Sequence, residues 1–137
     1  MGFANFGVLS FTDQSKVDNF VTYLEQGKVM TTKCKKCGHR FFPPRADCPD
    51  CLGSEVEWVA IEGTGNLVTY TTVNYGPSGF ENDAPYTLAI VDFPDGLRVF
   101  GRLSKEITPG GIEIDMKLKP AVSALGKDRI GYEFQKA

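Results

Sequence analysis

The chain has 137 residues, 42% of them hydrophobic and 23% charged, with four cysteines and one histidine. That is enough for one small domain, or one domain with an appendage, to bury a modest core without disulfides, and it excludes disordered, collagen-like and mucin-like chains. The net charge of -2 argues against a nucleic-acid partner, whose phosphates call for a basic excess.

No run approaches the roughly 18–20 apolar residues that cross a bilayer, so no membrane segment is expected. Residues 1–6 lack the basic start and long apolar stretch of a secretory signal. Gly2 invites a myristoylation reading, but Phe6 stands where that motif wants Ser or Thr. The chain therefore reads as soluble and cytoplasmic, a setting in which four cysteines point to metal ligands rather than disulfides.

Residues 1–27 read as an arm followed by a helix. The arm carries Phe3, Phe6, Val8, Leu9 and Phe11, which suits a segment packed on its own core or one that docks on a partner. A helix is predicted over 13–27, because Val17, Phe20, Val21 and Leu24 recur at helical spacing. Ser15 with Asp18, or Thr12 or Asp13 one turn earlier, would cap it. Gly27 suits its left-handed end.

Residues 28–53 hold all four cysteines, and 54–137 change to a β pattern. Val56, Trp58 and Ala60 alternate with Glu55, Glu57 and Val59. From Gly63 onward about five strands are predicted: Leu67 to Val73, Tyr86 to Phe93, Leu97 to Leu103, Met116 to Ala124 and Ile130 to Phe134. Pro94-Asp95-Gly96 and Gly126-Lys127-Asp128 make turns. The segment from Asn74 to Pro85 is long for a hairpin loop, and long loops are often functional. The expected fold is mainly β: an N-terminal helix, the cysteine-bearing segment, and a five-stranded barrel of the OB type.

The cysteines stand as Cys34-x2-Cys37 and Cys48-x2-Cys51, with ten residues between the pairs. Two residues between thiolates let one tight turn present both sulfurs to one ion, and glycine just after lets the chain reverse. Two such turns complete a tetrahedral four-sulfur site, and structural Zn2+ is the expected occupant of Cys34, Cys37, Cys48 and Cys51. Iron in a rubredoxin-like site fits the same ligands. A dithiol redox site needs only one pair. A c-type haem would need His where Gly38 stands. A metal-free ribbon would not require all four cysteines. A closed set of four leaves no position for catalytic water. His39, the single histidine, then reads as a surface group or a neighbour of the cluster. With no Ser/His/Asp or Cys/His set, no catalytic residues are assigned. Gly63-Thr64-Gly65 lacks the third glycine and the following helix of a phosphate loop.

Charge is uneven along the chain. Lys28, Lys33, Lys35, Lys36, Arg40 and Arg45 fall in a stretch without Asp or Glu, and acids outnumber bases past Ser54. Within the basic stretch lies Phe41-Phe42-Pro43-Pro44-Arg45. Such a strip is either a solvated face or an anion site with an apolar wall, suited to a nucleotide-bearing cofactor or a single strand of nucleic acid.

Taken together, the helix ending at Gly27, Cys34-x2-Cys37-Gly38, Phe42-Pro43-Pro44-Arg45, Cys48-Pro49-x-Cys51 and Gly63-Thr64-Gly65 resemble one family over nearly the whole chain. It is the acyl-CoA-associated family that joins a rubredoxin-like zinc ribbon to an OB-fold, long described as a domain of unknown function. Two departures are mild: Leu52 separates Cys51 from Gly53, and Asp115-Met116 stands where Gly-Met is common. The resemblance implies an accessory partner of a thiolase-fold enzyme (a thiolase or a hydroxymethylglutaryl-CoA synthase-like enzyme). The partner carries the catalytic residues, and this chain helps assembly and acyl-CoA binding. On that reading Lys36, Arg40 and Arg45 would meet CoA phosphates, and Phe41, Phe42 and Pro43 would line the pantetheine or adenine. The other reading is a single-stranded nucleic-acid module, against which the acidic barrel half stands.

Overall fold

The computed structural model describes residues 3–8, 15–125 and 129–137. Leu9, Phe11, the caps Thr12 and Asp13, and the turn Gly126-Lys127-Asp128 lie outside the described residues.

The helix α1 spans Asn19–Glu25, shorter than the 13–27 expected from periodicity. The stripe is real, since Phe20, Val21 and Leu24 are all buried. Just ahead of it, however, the chain winds in tight turns. Asp18 N–H bonds the Ser15 carbonyl at 3.2 Å and Phe20 N–H the Val17 carbonyl at 3.0 Å. Ser15 Oγ accepts from Val17 N–H at 3.2 Å, so Ser15 caps that turn. Asp18, at the helix N-cap, makes no side-chain cap bond. The far end closes as expected, with Gly27 at φ 82° and Lys28 N–H bonded to the Tyr23 carbonyl at 2.9 Å.

Two sheets follow. The first has β1 (Met30–Cys34) in the centre, flanked by β2 (Arg40–Phe41) and β3 (Val56–Ala60), all antiparallel. The period-two stretch after Ser54 is thus a strand, but it pairs with the cysteine-bearing β1 in full register from Met30↔Ala60 to Cys34↔Val56.

The second sheet holds β4 (Gly65–Val73), β5 (Tyr86–Phe93), β6 (Leu97–Arg102), β7 (Lys117–Ala124) and β8 (Ile130–Lys136). Its order is β6-β5-β4-β7-β8. The ends β6 and β8 meet through a parallel bridge, Leu103↔Phe134, and Tyr132 donates its hydroxyl to the Phe100 carbonyl at 2.6 Å. This makes a nearly closed five-stranded barrel. Gly101 is the residue that permits the approach: a Cβ there would lie 2.8 Å from the rings of Phe134 and Tyr132. Strand alternation sends Ala89, Val91, Phe93, Leu97, Val99, Leu118 and Phe134 inward, where all are buried.

The main core extends beyond the barrel. Phe3 and Phe6 of the arm, Phe20 of α1 and Phe42 of the ribbon all pack against it, along with Tyr132. Phe20 lies edge-on to Phe42 at 6.0 Å and to Tyr132 at 6.0 Å. The arm is pinned by Gly7 N–H to the Ile130 carbonyl at 2.8 Å. A second, smaller core gathers Cys34, Phe41, Cys48, Cys51 and Val56. No helix among the described residues is long and apolar enough to cross a membrane.

Candidate metal centre and the ribbon face

Cys34 ends β1, Cys37 follows in the turn toward β2, and Cys48 and Cys51 form a second turn before β3. The two turns repeat one hydrogen-bond pattern. Cys34 N–H bonds the His39 carbonyl at 2.9 Å, and Gly38 N–H returns to the Cys34 carbonyl at 3.0 Å. Cys48 N–H bonds the Gly53 carbonyl at 2.8 Å, and Leu52 N–H returns to the Cys48 carbonyl at 3.1 Å. Each turn needs a left-handed residue after its second cysteine: Gly38 has φ 76° and Leu52 has φ 61°. Glycine adopts this at no steric cost, whereas leucine is strained there by about 1–2 kcal/mol.

The four sulfurs all lie within 4.8 Å of one another. Cys34 Sγ is 3.6 Å from Cys51 Sγ, and Cys37 Sγ is 3.5 Å from Cys48 Sγ. These are too long for disulfides and close to the ~3.8 Å edge of a tetrahedron with 2.3 Å metal–sulfur bonds. Cys34 and Cys48 are buried, Cys51 is half-buried and Cys37 is exposed.

The thiols of the cluster differ in their electrostatics. The Cys37 backbone N–H, 3.5 Å from Cys34 Sγ, holds the Cys34 thiol down to about 6 against the opposing effect of burial. At Cys37 the His39 backbone N–H pulls downward, but the Cys48 sulfur and burial prevail and push the thiol up to about 12. Cys51 is likewise raised: the Gly53 N–H pulls down, while the Cys34 sulfur and burial win. Holding a metal requires cysteine ligands to give up their protons to the ion. The donor set and spacing fit a structural metal, held by Cys34, Cys37, Cys48 and Cys51. When bound, it supplies a cross-link between the two turns.

The residues of the aromatic and basic strip part company in three dimensions. Phe41 is buried with the cysteines, and its carbonyl accepts from the buried Thr31 hydroxyl. Phe42 turns the other way, onto Phe20 and Tyr132. Arg40 reaches the barrel, its Nη2 donating to the Pro94 carbonyl at 2.5 Å. Lys36, Pro43 and Arg45 are exposed. A hollow of about 580 Å³ beside the cluster is lined by Lys33, Cys37, Gly38, His39, Arg40, Asp50 and Val59. Of the six strip residues, it brings in Arg40 alone. His39 faces Asp50 of the other turn, Nδ1 to carboxylate 3.3 Å.

Two contributors escaped sequence reasoning. The buried Thr32 hydroxyl donates to the Arg45 carbonyl at 2.9 Å and accepts the Arg45 N–H at 2.8 Å. With Thr31 it clamps the strip to β1. The Thr31-Thr32 pair just before Cys34 was a visible signal, but only the pairing shows that both faces of β1 are covered. Leu52 is the other, visible as a departure from Cys-Gly but not as a strained position.

Residues 22–57 match the family model of the ChsH2 rubredoxin-like zinc ribbon domain, and residues 58–123 that of the ChsH2 C-terminal OB-fold domain. The chain belongs to the ChsH2/DUF35 family. A DUF35 domain-containing scaffold protein of Methanocaldococcus jannaschii is 32% identical over 110 residues, covering 75% of this chain and 77% of that protein. The benzoylsuccinyl-CoA thiolase subunit BbsA of Thauera aromatica is 33% identical over 109 residues, covering 76% and 73%. Among solved structures, the Ltp2-ChsH2(DUF35) aldolase superposes with a TM-score of 0.76 at 22% identity over 93% of this chain and 98% of that one. At that identity the likeness concerns the fold. The DUF35 zinc ribbon and OB-fold expected from the motifs are therefore both present.

Proposed function

We propose that this chain is a non-catalytic accessory subunit of a thiolase-type enzyme complex, helping its assembly and its binding of acyl-CoA. The observation that carries this reading is the kinship at about one-third identity with a DUF35 scaffold protein and a thiolase subunit. The chemistry of the chain agrees. Among the described residues the only candidate metal cluster is a four-cysteine set, closed to substrate once filled. His39 is tied to Asp50 rather than to a nucleophile. The partner, a thiolase-fold enzyme, carries the reacting groups.

The metal in this reading is Zn2+, and the free thiols suit the reducing cytoplasm. The CoA phosphates meet the exposed cations of the ribbon, Lys36 and Arg45. Arg40 and Lys33 line the adjoining hollow, and Pro43 offers an apolar edge. Phe41 and Phe42 hold this face in place from beneath.

The test is co-purification. The native, metal-loaded chain is expected to elute with a thiolase-fold enzyme and to raise that enzyme's acyl-CoA turnover or CoA affinity. A chain that runs alone and changes neither quantity for any thiolase-fold enzyme overturns the reading.

A further inference from the structure

The four sulfurs of the cysteine cluster are not equally reachable. Cys34 and Cys48 are each 1% exposed, and Cys51 is half-buried. Cys37 alone is exposed. The backbone explains the difference. Around Cys51 the chain closes in, since a Cβ on Gly53 would lie 3.3 Å from its sulfur. Beside Cys37, Gly38 has open space where a Cβ would project, and Cys37 itself lines the hollow of about 580 Å³. Donors differ too. The N–H groups of Cys37 and Lys36 both face the Cys34 sulfur, whereas the Cys37 sulfur receives that of His39.

Oxidation of a cysteine follows its thiolate character and its exposure. Metal binding gives all four sulfurs thiolate character, which leaves exposure to choose among them. The hollow also bears on the reagent. Lys33 and Arg40 line it, but Asp50 sits against His39 at 3.3 Å, and Glu57 is the cross-strand neighbour of Lys33. With both signs of charge around it, this entrance calls for no charge on the reagent. Hydrogen peroxide, small and neutral, needs only access. A second sulfur is in reach as well: Cys48 Sγ lies 3.5 Å from Cys37 Sγ. About 1.5 Å of further approach makes that contact a disulfide.

We infer that Cys37 is a modification site: hydrogen peroxide attacks the zinc-loaded cluster at this sulfur, and Cys48 completes the oxidation. The inference rests on the Zn2+ reading of the cluster and is independent of the accessory-subunit reading. The Cys37 thiolate attacks one peroxide oxygen, the O–O bond breaks, and the departing hydroxide takes a proton to leave as water. Cys37 is then a sulfenic acid. The Cys48 thiolate attacks the Cys37 sulfur, the S–O bond breaks, and hydroxide again takes a proton to leave as water. The two sulfurs are oxidised and the peroxide oxygens reduced: two thiolates, one peroxide and two protons give one disulfide and two waters. Cys34 and Cys51 alone then remain as ligands, too few to hold Zn2+, which is released unchanged in charge. The small core that Cys34 and Cys48 share with Phe41 loosens, while the barrel core, which contains no cysteine, stays.

The experiment uses the full zinc-loaded chain, with its zinc measured beforehand by atomic emission. Substituting Cys37 would destroy the ligand set, so the wild type is mapped instead. Under substoichiometric iodoacetamide, the first adduct is expected on Cys37. Under hydrogen peroxide, zinc release followed with a chromogenic chelator is expected to keep pace with the loss of about two thiols per ion. Peptide mapping should then find Cys37 joined to Cys48. A first adduct on Cys34, Cys48 or Cys51 overturns Cys37 as the point of attack. A disulfide between other cysteines overturns the pairing with Cys48. Zinc fully retained under millimolar peroxide, or released with the thiols intact, overturns the modification site. A chain that takes up no zinc at the outset overturns the Zn2+ reading itself.

Discussion

The ring of Phe42 stands edge-on to that of Tyr132, with centroids 5.4 Å apart and planes at 79°. One residue belongs to the cysteine ribbon and the other to the last strand of the barrel, so this contact joins the two units through a shared core. Its immediate neighbour, Phe41, faces the opposite way and packs with Cys34 and Cys48.

Adjacent phenylalanines therefore report on different cores. Phe42→Ala is expected to lower global stability by about 2–3 kcal/mol, below the full cost of a buried aromatic because the ring is half-buried. Phe41→Ala should leave the barrel's thermal transition nearly in place while speeding metal loss to a chelator. Calorimetry paired with a metal-release assay separates the two. Equal effects of both substitutions on both readouts would contradict the two-core arrangement.

Removing a ligand extends this logic. Cys34→Ser or Cys48→Ser is expected to release the metal and loosen the ribbon, since the remaining sulfurs lose a cross-link and not merely a contact. The barrel core contains none of the cysteines, so far-ultraviolet dichroism should retain most of its β signal. Metal content measured by atomic emission is the check, and unchanged content in both variants would refute the ligand set.

At alkaline pH the sensitive group is Tyr132, whose phenol is pushed up to about 12 by burial. Because the folded value lies above the unfolded value near 10, the associated stability is fully present below pH 10. It is lost as the pH rises from about 10 to 12. Two pH units correspond to at most about 2.7 kcal/mol. Tyr132→Phe should flatten the fall in stability across that window. It should also lower stability at neutral pH by about 1 kcal/mol, because the Phe100 carbonyl loses its donor. Denaturant titrations from pH 8 to 12 would show both effects, and parallel curves for the two proteins would refute the assignment.

On the accessory-subunit reading, the cations of the ribbon face divide by role. Lys36→Glu and Arg45→Glu are each expected to weaken CoA binding by the assembled complex about three- to tenfold, the scale of one charge-assisted phosphate contact. Zinc content should not change. Arg40→Ala removes the bond to the Pro94 carbonyl and should cost about 1 kcal/mol of stability. Isothermal titration with CoA, alongside thermal melts, distinguishes ligand contacts from the strut.

Much of this arrangement was legible in the residues themselves. The spacing of Cys34, Cys37, Cys48 and Cys51 announced a four-sulfur site, because tight turns place sulfurs locally whatever surrounds them. The alternation from Leu67 to Phe134 announced five strands, because a sheet with one buried face must repeat every second residue. The stripe of Phe20, Val21 and Leu24 announced a helix, although its length was overread: periodicity runs on through turns that wind almost like a helix.

Other features had no local signal. The alternation of Val56, Trp58 and Ala60 could not say which sheet they join, since pairing is a choice between distant backbones, and they join β1. The strip from Arg40 to Arg45 looked like one surface. It became one buried ring, one half-buried ring, a strut to Pro94 and a few exposed groups, because side chains on neighbouring residues leave the backbone in opposite directions. Cysteine spacing and strand alternation in this 137-residue chain thus determined a four-sulfur ribbon and five strands by local rules. Only the folding of one against the other decided which cations face solvent, which aromatics weld the two units, and that Leu52 stands strained and bare at the tip of a turn.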